Sequence, residues 1–126
     1  MNIFSYRHIF FELCIKYFGD KNMIVKEGIL KDNDISLETL EVKLPNTTLL
    51  ILEGYNAFAM CGALDTNIYN TPKMMDRKVI CFKAIGVKTL EELYEAKIAD
   101  LSNYAKTLGL EKGMYIKDAF KIISKE

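Results

Sequence analysis

Between residues 23 and 64 the chain reads as strand-like runs separated by turn signals, and after residue 65 the pattern becomes helical. That switch constrains the fold more than any other feature. MIVKEGIL (23–30) is a β-rich run ending at the turn-prone Lys31-Asp32-Asn33-Asp34. ISLETLEVKL (35–44) alternates, with Ile35, Leu37, Thr39 and Glu41 on one face and Leu40, Val42 and Leu44 either on the other or shifted by a bulge. Pro45-Asn46 closes that run. LLILE (49–53) is continuously apolar, as expected of a strand covered on both faces. Gly54-Tyr55-Asn56 supplies a tight turn, and AFAMCGAL (57–64) reads as the next strand.

Asp65 is placed to cap a short helix that Pro72 must break or bend. RKVICFKAI (77–85) reads as a buried strand stopping at Gly86. Thr89-Leu90-Glu91-Glu92 is a capping box, in which hydroxyl and carboxylate satisfy helix-end amides. Leu90, Leu93, Leu101, Ala105 and Leu108 keep helical spacing and predict two short helices parted near residues 97–100. Gly109 as a C-cap and Gly113 as a turn precede a last helix, residues 116–124, with Ala119, Phe120 and Ile123 inward. Strands first and helices second predict an α+β domain over residues 23–126, an N-terminal sheet with short C-terminal helices packed on it.

Residues 1–22 stand apart. Wound as a helix, residues 3–18 carry a narrow polar stripe of Ser5, His8, Glu12 and Lys16 on an otherwise apolar cylinder. Glu12 and Lys16 interrupt the run, which is short of the roughly 18–20 residues a span needs, so membrane attachment is not expected. Nor does a small-x-small cleavage site appear near Gly19. Two readings stay open. Either the segment is an extension docked on the domain or on a neighbouring subunit, or the native chain starts at Met23.

Composition removes several functions. At 126 residues, 50% hydrophobic and 27% charged, the chain can build one core unaided. Seventeen basic residues against seventeen acidic ones argue against a nucleic-acid partner. The cysteines, Cys14, Cys61 and Cys81, are odd in number and lack CxxC spacing, which points to a reducing cytoplasm rather than a disulfide framework. His8 is the only histidine, so a metal site is not expected and most acid–base templates are excluded. GxxxxGK[ST], GxGxxG and GxSxG are absent, so no cofactor is expected.

Three places remain that can carry chemistry. Cys61 stands near the end of a predicted strand beside Gly62, where a backbone or ligand can approach closely; a nearby cation or helix end would make it a nucleophile. The competing reading is a small buried hydrophobe. Gly86-Val87-Lys88-Thr89 leads from a strand into a capped helix and can hold a small anion, a carboxylate or phosphate, or be only a turn. Asp65 can act as a general base near Cys61 or simply as a cap.

Met60-Cys61-Gly62-Ala63-Leu64-Asp65, then Gly86-Val87-Lys88-Thr89-Leu90-Glu91-Glu92-Leu93, then Leu108-Gly109-Leu110-Glu111-Lys112-Gly113-Met114 form an ordered set. Together with Glu41-Val42-Lys43-Leu44-Pro45 and Leu49-Leu50-Ile51, this set resembles the YunC-like family of small bacterial and archaeal proteins, a domain of unknown function. The likeness runs from about Met23 to Ser124. Ala57, where relatives tend to carry glycine, departs from the pattern, as do Tyr115 and Ile116. The resemblance implies a small α/β domain whose N-terminal strands mediate homo-oligomerisation, as a tetramer. It implies no activity. The resulting expectation is a cytoplasmic homo-oligomer that binds a small ligand or protein partner, with a cysteine-dependent enzyme or thiol-redox protein centred on Cys61 as the alternative.

Overall fold

The computed structural model describes the backbone of residues 9–17 and the whole of residues 23–125. Within them seven strands form one sheet in chain order: β1 (Ile9–Tyr17), β2 (Ile24–Asp32), β3 (Ile35–Leu44), β4 (Thr47–Gly54), β5 (Ala57–Met60), β6 (Ile80–Lys83) and β7 (Asp100–Leu101). Every neighbouring pair is antiparallel except β5 and β6, which are parallel. The crossover between those two holds a 3-10 helix (Thr66–Asn70) and α1 (Pro72–Met75). Later come α2 (Leu90–Glu95), α3 (Asn103–Thr107) and α4 (Ile116–Ile123). The expected α+β architecture is therefore present.

Turn chemistry sets the meander. Asn33 and Asn46 take left-handed φ of 57° and 64°, and Pro45 before Asn46 pre-sets the turn into β4. The β4–β5 hairpin has only Tyr55 and Asn56 between its strands, both with φ near 60°, as a two-residue turn matched to sheet twist requires. A tyrosine is an unusual occupant. Its hydroxyl accepts from the Ser36 amide at 3.0 Å and donates to the Asp34 carbonyl at 3.4 Å, tying this turn to the one between β2 and β3.

The two faces of the sheet differ. On one, Leu52, Ala59, Phe82 and Leu101 stand directly opposite one another across β4 to β7 and are buried. Phe82 meets Phe120 of α4 edge to face at 5.5 Å. Ile116, Ala119, Phe120 and Ile123 are the buried stripe of that helix, as its spacing predicts. The other face carries Leu40, Ile51 and Met60 in one cross-strand row, each half-buried. The strand over 49–53 is thus covered fully on one face only, correcting the expectation of two. Leu50 and Leu52 are buried, whereas Leu49 and Ile51 are half-open. Glu38 lies directly opposite Glu53 on the open face.

Further corrections follow physical causes. Residues 9–17 form a strand and not a turn of helix, paired along nine positions with β2. Read at period two, Ile9, Phe11, Leu13, Ile15 and Tyr17 are all apolar, and aromatic and β-branched residues favour strand. Residues 3–8 and 18 of the predicted helix lie outside the described residues. β3 keeps continuous register with both neighbours, so no bulge is needed. The strand expected over 57–64 ends at Met60, because the Leu64 amide turns back to the Cys61 carbonyl at 3.2 Å. The strand expected over 77–85 begins only at Ile80, after Lys78 takes φ of 54°. Leu101, expected in a helix, belongs to β7 and completes the buried row opposite Phe82.

One buried polar contact links the sheet to the helices. The Tyr94 hydroxyl of α2 donates to the Asp32 carboxylate at the end of β2, at 2.7 Å, and both residues are buried. Burial, with this hydrogen bond and the negative charge of Asp32, pushes the phenol's pKa upward, so Tyr94 stays a neutral donor. Tyr94→Phe strands the carboxylate without its donor. Chemical denaturation should show the variant less stable by about 1–3 kcal/mol, the cost of an unsatisfied buried polar group.

Candidate functional site

Parallel strands deliver their carboxyl ends to the same side, and in open α/β sheets that side is where ligands bind. Here β5 and β6 deliver the residues singled out from sequence. The Ala84 amide donates to the Met60 carbonyl at 3.0 Å, holding the two strand exits together. From one exit runs Cys61-Gly62-Ala63, from the other Ile85-Gly86-Val87-Lys88-Thr89. A Cβ on Gly62 would stand 3.6 Å from Ile85 Cγ2, so the loops are in contact range, and Gly86 takes φ of 74°. Gly62, Ala63, Gly86, Lys88 and Thr89 are exposed. Ile85 is 65% exposed, although the sequence reads as if it ended a buried strand.

Cys61 does not join that surface. It is 8% exposed, its amide donates to the Leu50 carbonyl at 3.2 Å, and its thiol reaches the Thr48 carbonyl at 3.9 Å. Asp65 accepts from the Asn67 amide at 3.0 Å as the N-cap of the 3-10 helix. At the second loop, Thr89 Oγ1 accepts from the Glu92 amide at 3.0 Å, while Glu92 Oε1 accepts from the Lys88 amide at 2.7 Å. The capping box therefore forms with its carboxylate reaching one residue further back, and a protein carboxylate already holds an amide that an anion would use. His8, the one imidazole that could approach Cys61, lies outside the described residues. No group of three or more His, Cys, Asp or Glu arranged to hold a metal occurs among the described residues.

Two nodes had no sequence signal. Ser102 donates to the Val79 carbonyl at 2.7 Å and accepts from the amides of Cys81 at 3.4 Å and Ala105 at 3.3 Å, joining the start of β6 to α3. Burial pushes the Cys81 thiol's pKa up despite this hydroxyl, making Cys81 a core thiol. Asp100 accepts from the Thr66 hydroxyl and the Leu101 amide, both at 2.9 Å, and Lys112 stands 3.8 Å away. Asn70 accepts from the Asn103 amide at 2.7 Å. These bonds fix the crossover, and hence the Cys61–Asp65 loop, against β7 and α3. Only contacts between residues more than twenty apart in the chain reveal them.

A family model described as a domain of unknown function, DUF1805, matches residues 60–123, which begin at the exit of β5 and include both loops. An uncharacterized protein of Bacillus subtilis (strain 168), YunC, is 33% identical over 78 residues, 62% of this chain and 76% of that relative. The crystal structure of a protein of unknown function from Thermoplasma acidophilum, TA1206, shares the fold with a TM-score of 0.70 at 23% identity, over 86% of this chain and 99% of that one.

The Asp100 node has a pH signature. Partial burial alone would raise its pKa, but the hydrogen bonds from Thr66 and Leu101, with Lys112 and Lys106 nearby, outweigh it and hold the carboxyl below its ordinary 3.8. A depressed folded-state pKa stabilises the protein above the unfolded value, and that contribution is lost as pH falls through the folded value. Asp100→Asn should therefore flatten the acid limb of stability below about pH 4, measured by thermal melts between pH 2 and 7.

Proposed function

The chain belongs to the DUF1805, or YunC-like, family, and we propose that it is a non-catalytic, homo-oligomeric cytoplasmic protein that binds a small ligand or protein partner. The observation that carries this reading is the uneven coverage of the sheet. Leu40, Leu49, Ile51 and Met60 are only half-buried on one face, beside the like-charged pair Glu38 and Glu53, and the sheet ends in the nine-residue strand β1. Open apolar faces and long edges are what a second subunit covers. The N-terminal strands are thus the proposed assembly region.

The loops at the β5 and β6 exits are the proposed binding surface. Exposed Ile85 between the turns bearing Gly62 and Gly86 favours a partner with apolar character over a free anion, because Glu92 already occupies the Lys88 amide. Three cysteines without paired spacing suit a reducing compartment. No helix among the described residues is long and apolar enough to cross a membrane.

Catalysis by Cys61 is the second reading, favoured by its place at a strand exit where the family match begins. Against it stands the buried thiol, whose hydrogen-bond partner is a carbonyl and not a base or cation. Light scattering tests assembly: the expected mass is a multiple of 14.5 kDa, and a monomer overturns the reading. Alkylation of the folded protein, read peptide by peptide, tests the thiol. Cys61 should react as slowly as Cys81, whereas rapid labelling with an apparent pKa well below about 8.5 would replace the binding reading by the thiol one.

A further inference from the structure

Two cavities lie side by side at the carboxyl end of α4, and Ser124 lines both. The first, of about 200 Å³, is lined also by Asp32, Asp34, Ile35, Lys121 and Lys125. The second, of about 480 Å³, is lined also by Tyr55, Asn56, Ile80, Tyr104, Leu108 and Ile123. A hydrogen bond ties their walls together, since the Tyr55 hydroxyl of the second donates to the Asp34 carbonyl of the first at 3.4 Å. Both lie at the end of the sheet where β5 and β6 start, at Ala57 and Ile80, opposite the loops that follow Met60 and Lys83.

The two cavities differ in chemistry. The first carries two carboxylates and two ammonium groups, and among the described residues none of the four is ion-paired with another. The buried Asp32 carboxylate accepts from the Tyr94 hydroxyl, and the Ser124 hydroxyl is committed to the Lys121 carbonyl at 2.9 Å. Unpaired charges of both signs around one small space complement a ligand that itself carries both, each met by a charge-assisted hydrogen bond. The second cavity is aromatic and aliphatic, and its volume falls within the roughly 300–1,000 Å³ of small-molecule sites. Tyr55 lines it from a left-handed φ of 55°, where asparagine or glycine is the ordinary occupant, and backbone strain of this kind is concentrated at ligand sites.

We propose that the paired cavities bind a free α-amino acid with a large apolar side chain, an aromatic one above all. Its ammonium group is met by Asp32 and Asp34, its carboxylate by Lys121 and Lys125, and its side chain by Tyr55, Tyr104 and Leu108. The site is separate from the loop surface proposed above and does not depend on assembly.

Isothermal titration of the full chain at neutral pH with L-phenylalanine should show saturable binding with a Kd in the millimolar range or tighter. Phenethylamine, which lacks the carboxylate, and 3-phenylpropionate, which lacks the ammonium group, should each bind at least tenfold more weakly. Lys121→Glu combined with Lys125→Glu should weaken L-phenylalanine at least tenfold and leave phenethylamine undiminished, a split that a misfolded variant would not produce. Tyr104→Ala should weaken both ligands. Absence of saturable binding to the wild-type chain overturns the site. Phenethylamine or 3-phenylpropionate binding as tightly as L-phenylalanine overturns the amino-acid assignment, and L-phenylalanine binding untouched by these substitutions overturns its location.

Discussion

A parallel pair of strands cannot be closed by a hairpin, and the single parallel pairing, β5 with β6, governs the rest of this fold. The chain must leave β5 at Met60 and cross back to the opposite end of the sheet, beside Ala57, to enter β6 at Ile80. It spends the intervening residues on a 3-10 helix and one turn of α-helix, too little to form a core of their own. Their position is therefore held by polar contacts, Thr66 to Asp100 and Asn70 to Asn103, with Ser102 binding the strand that receives the crossover. The same pairing places both strand exits side by side, which is why Gly62 meets Ile85 and why the two loops form one surface.

From this pairing the division of labour between the two halves follows. Downstream of β5, the helices cover the face carrying Phe82 and Leu101, and the edge-to-face contact of Phe82 with Phe120 anchors α4. Upstream, turn chemistry and strand register shape the long antiparallel meander, and Leu30, Ile35, Leu37, Leu50 and Leu52 join the same buried cluster as the helices. The buried bond from Tyr94 to Asp32 adds a polar link between these halves, joining α2 to the end of β2 across 62 residues. A hydrogen bond to a charged carboxylate contributes more than a neutral one, and it adds to the packing of Leu90 and Leu93 on the same helix.

Much of the meander was legible in sequence because strand faces are encoded locally. Ile35, Leu37 and Thr39 alternate with exposed residues, and the register leaves no choice about which face is buried. The capping box at Thr89 and the stripe of α4 were legible for the same reason: each signal lies within one or two turns. Residues 9–17 misled because Glu12 and Lys16 are four apart, a spacing that fits one helix face and also, at period two, one face of a strand. The strand at 100–101 was hidden because Leu101 fits helical spacing, and only its place opposite Phe82 gives it a strand's role. Cys61 shows the limit for sites. Its neighbours place it at a strand exit, but whether the thiol faces the loops or the Thr48 carbonyl depends on a strand thirteen residues away.

Helices of four to eight residues cannot cover both faces of a seven-stranded sheet. Across β4 to β7 the chain buries the row from Leu52 to Leu101 on one face and leaves half-open aliphatic residues on the other, with Glu38 and Glu53 among them. Glu38 directly opposite Glu53 is an arrangement that repels in isolation. A nine-residue edge strand without proline presents a related conflict, since an unpaired edge invites pairing. Both features are unfavourable for a lone subunit and become useful when another subunit supplies the missing cover. In the proposed assembly the energetic burden of the open meander is carried between subunits, which leaves the β5 and β6 loops, at the far side of the sheet from β1, free to engage a partner.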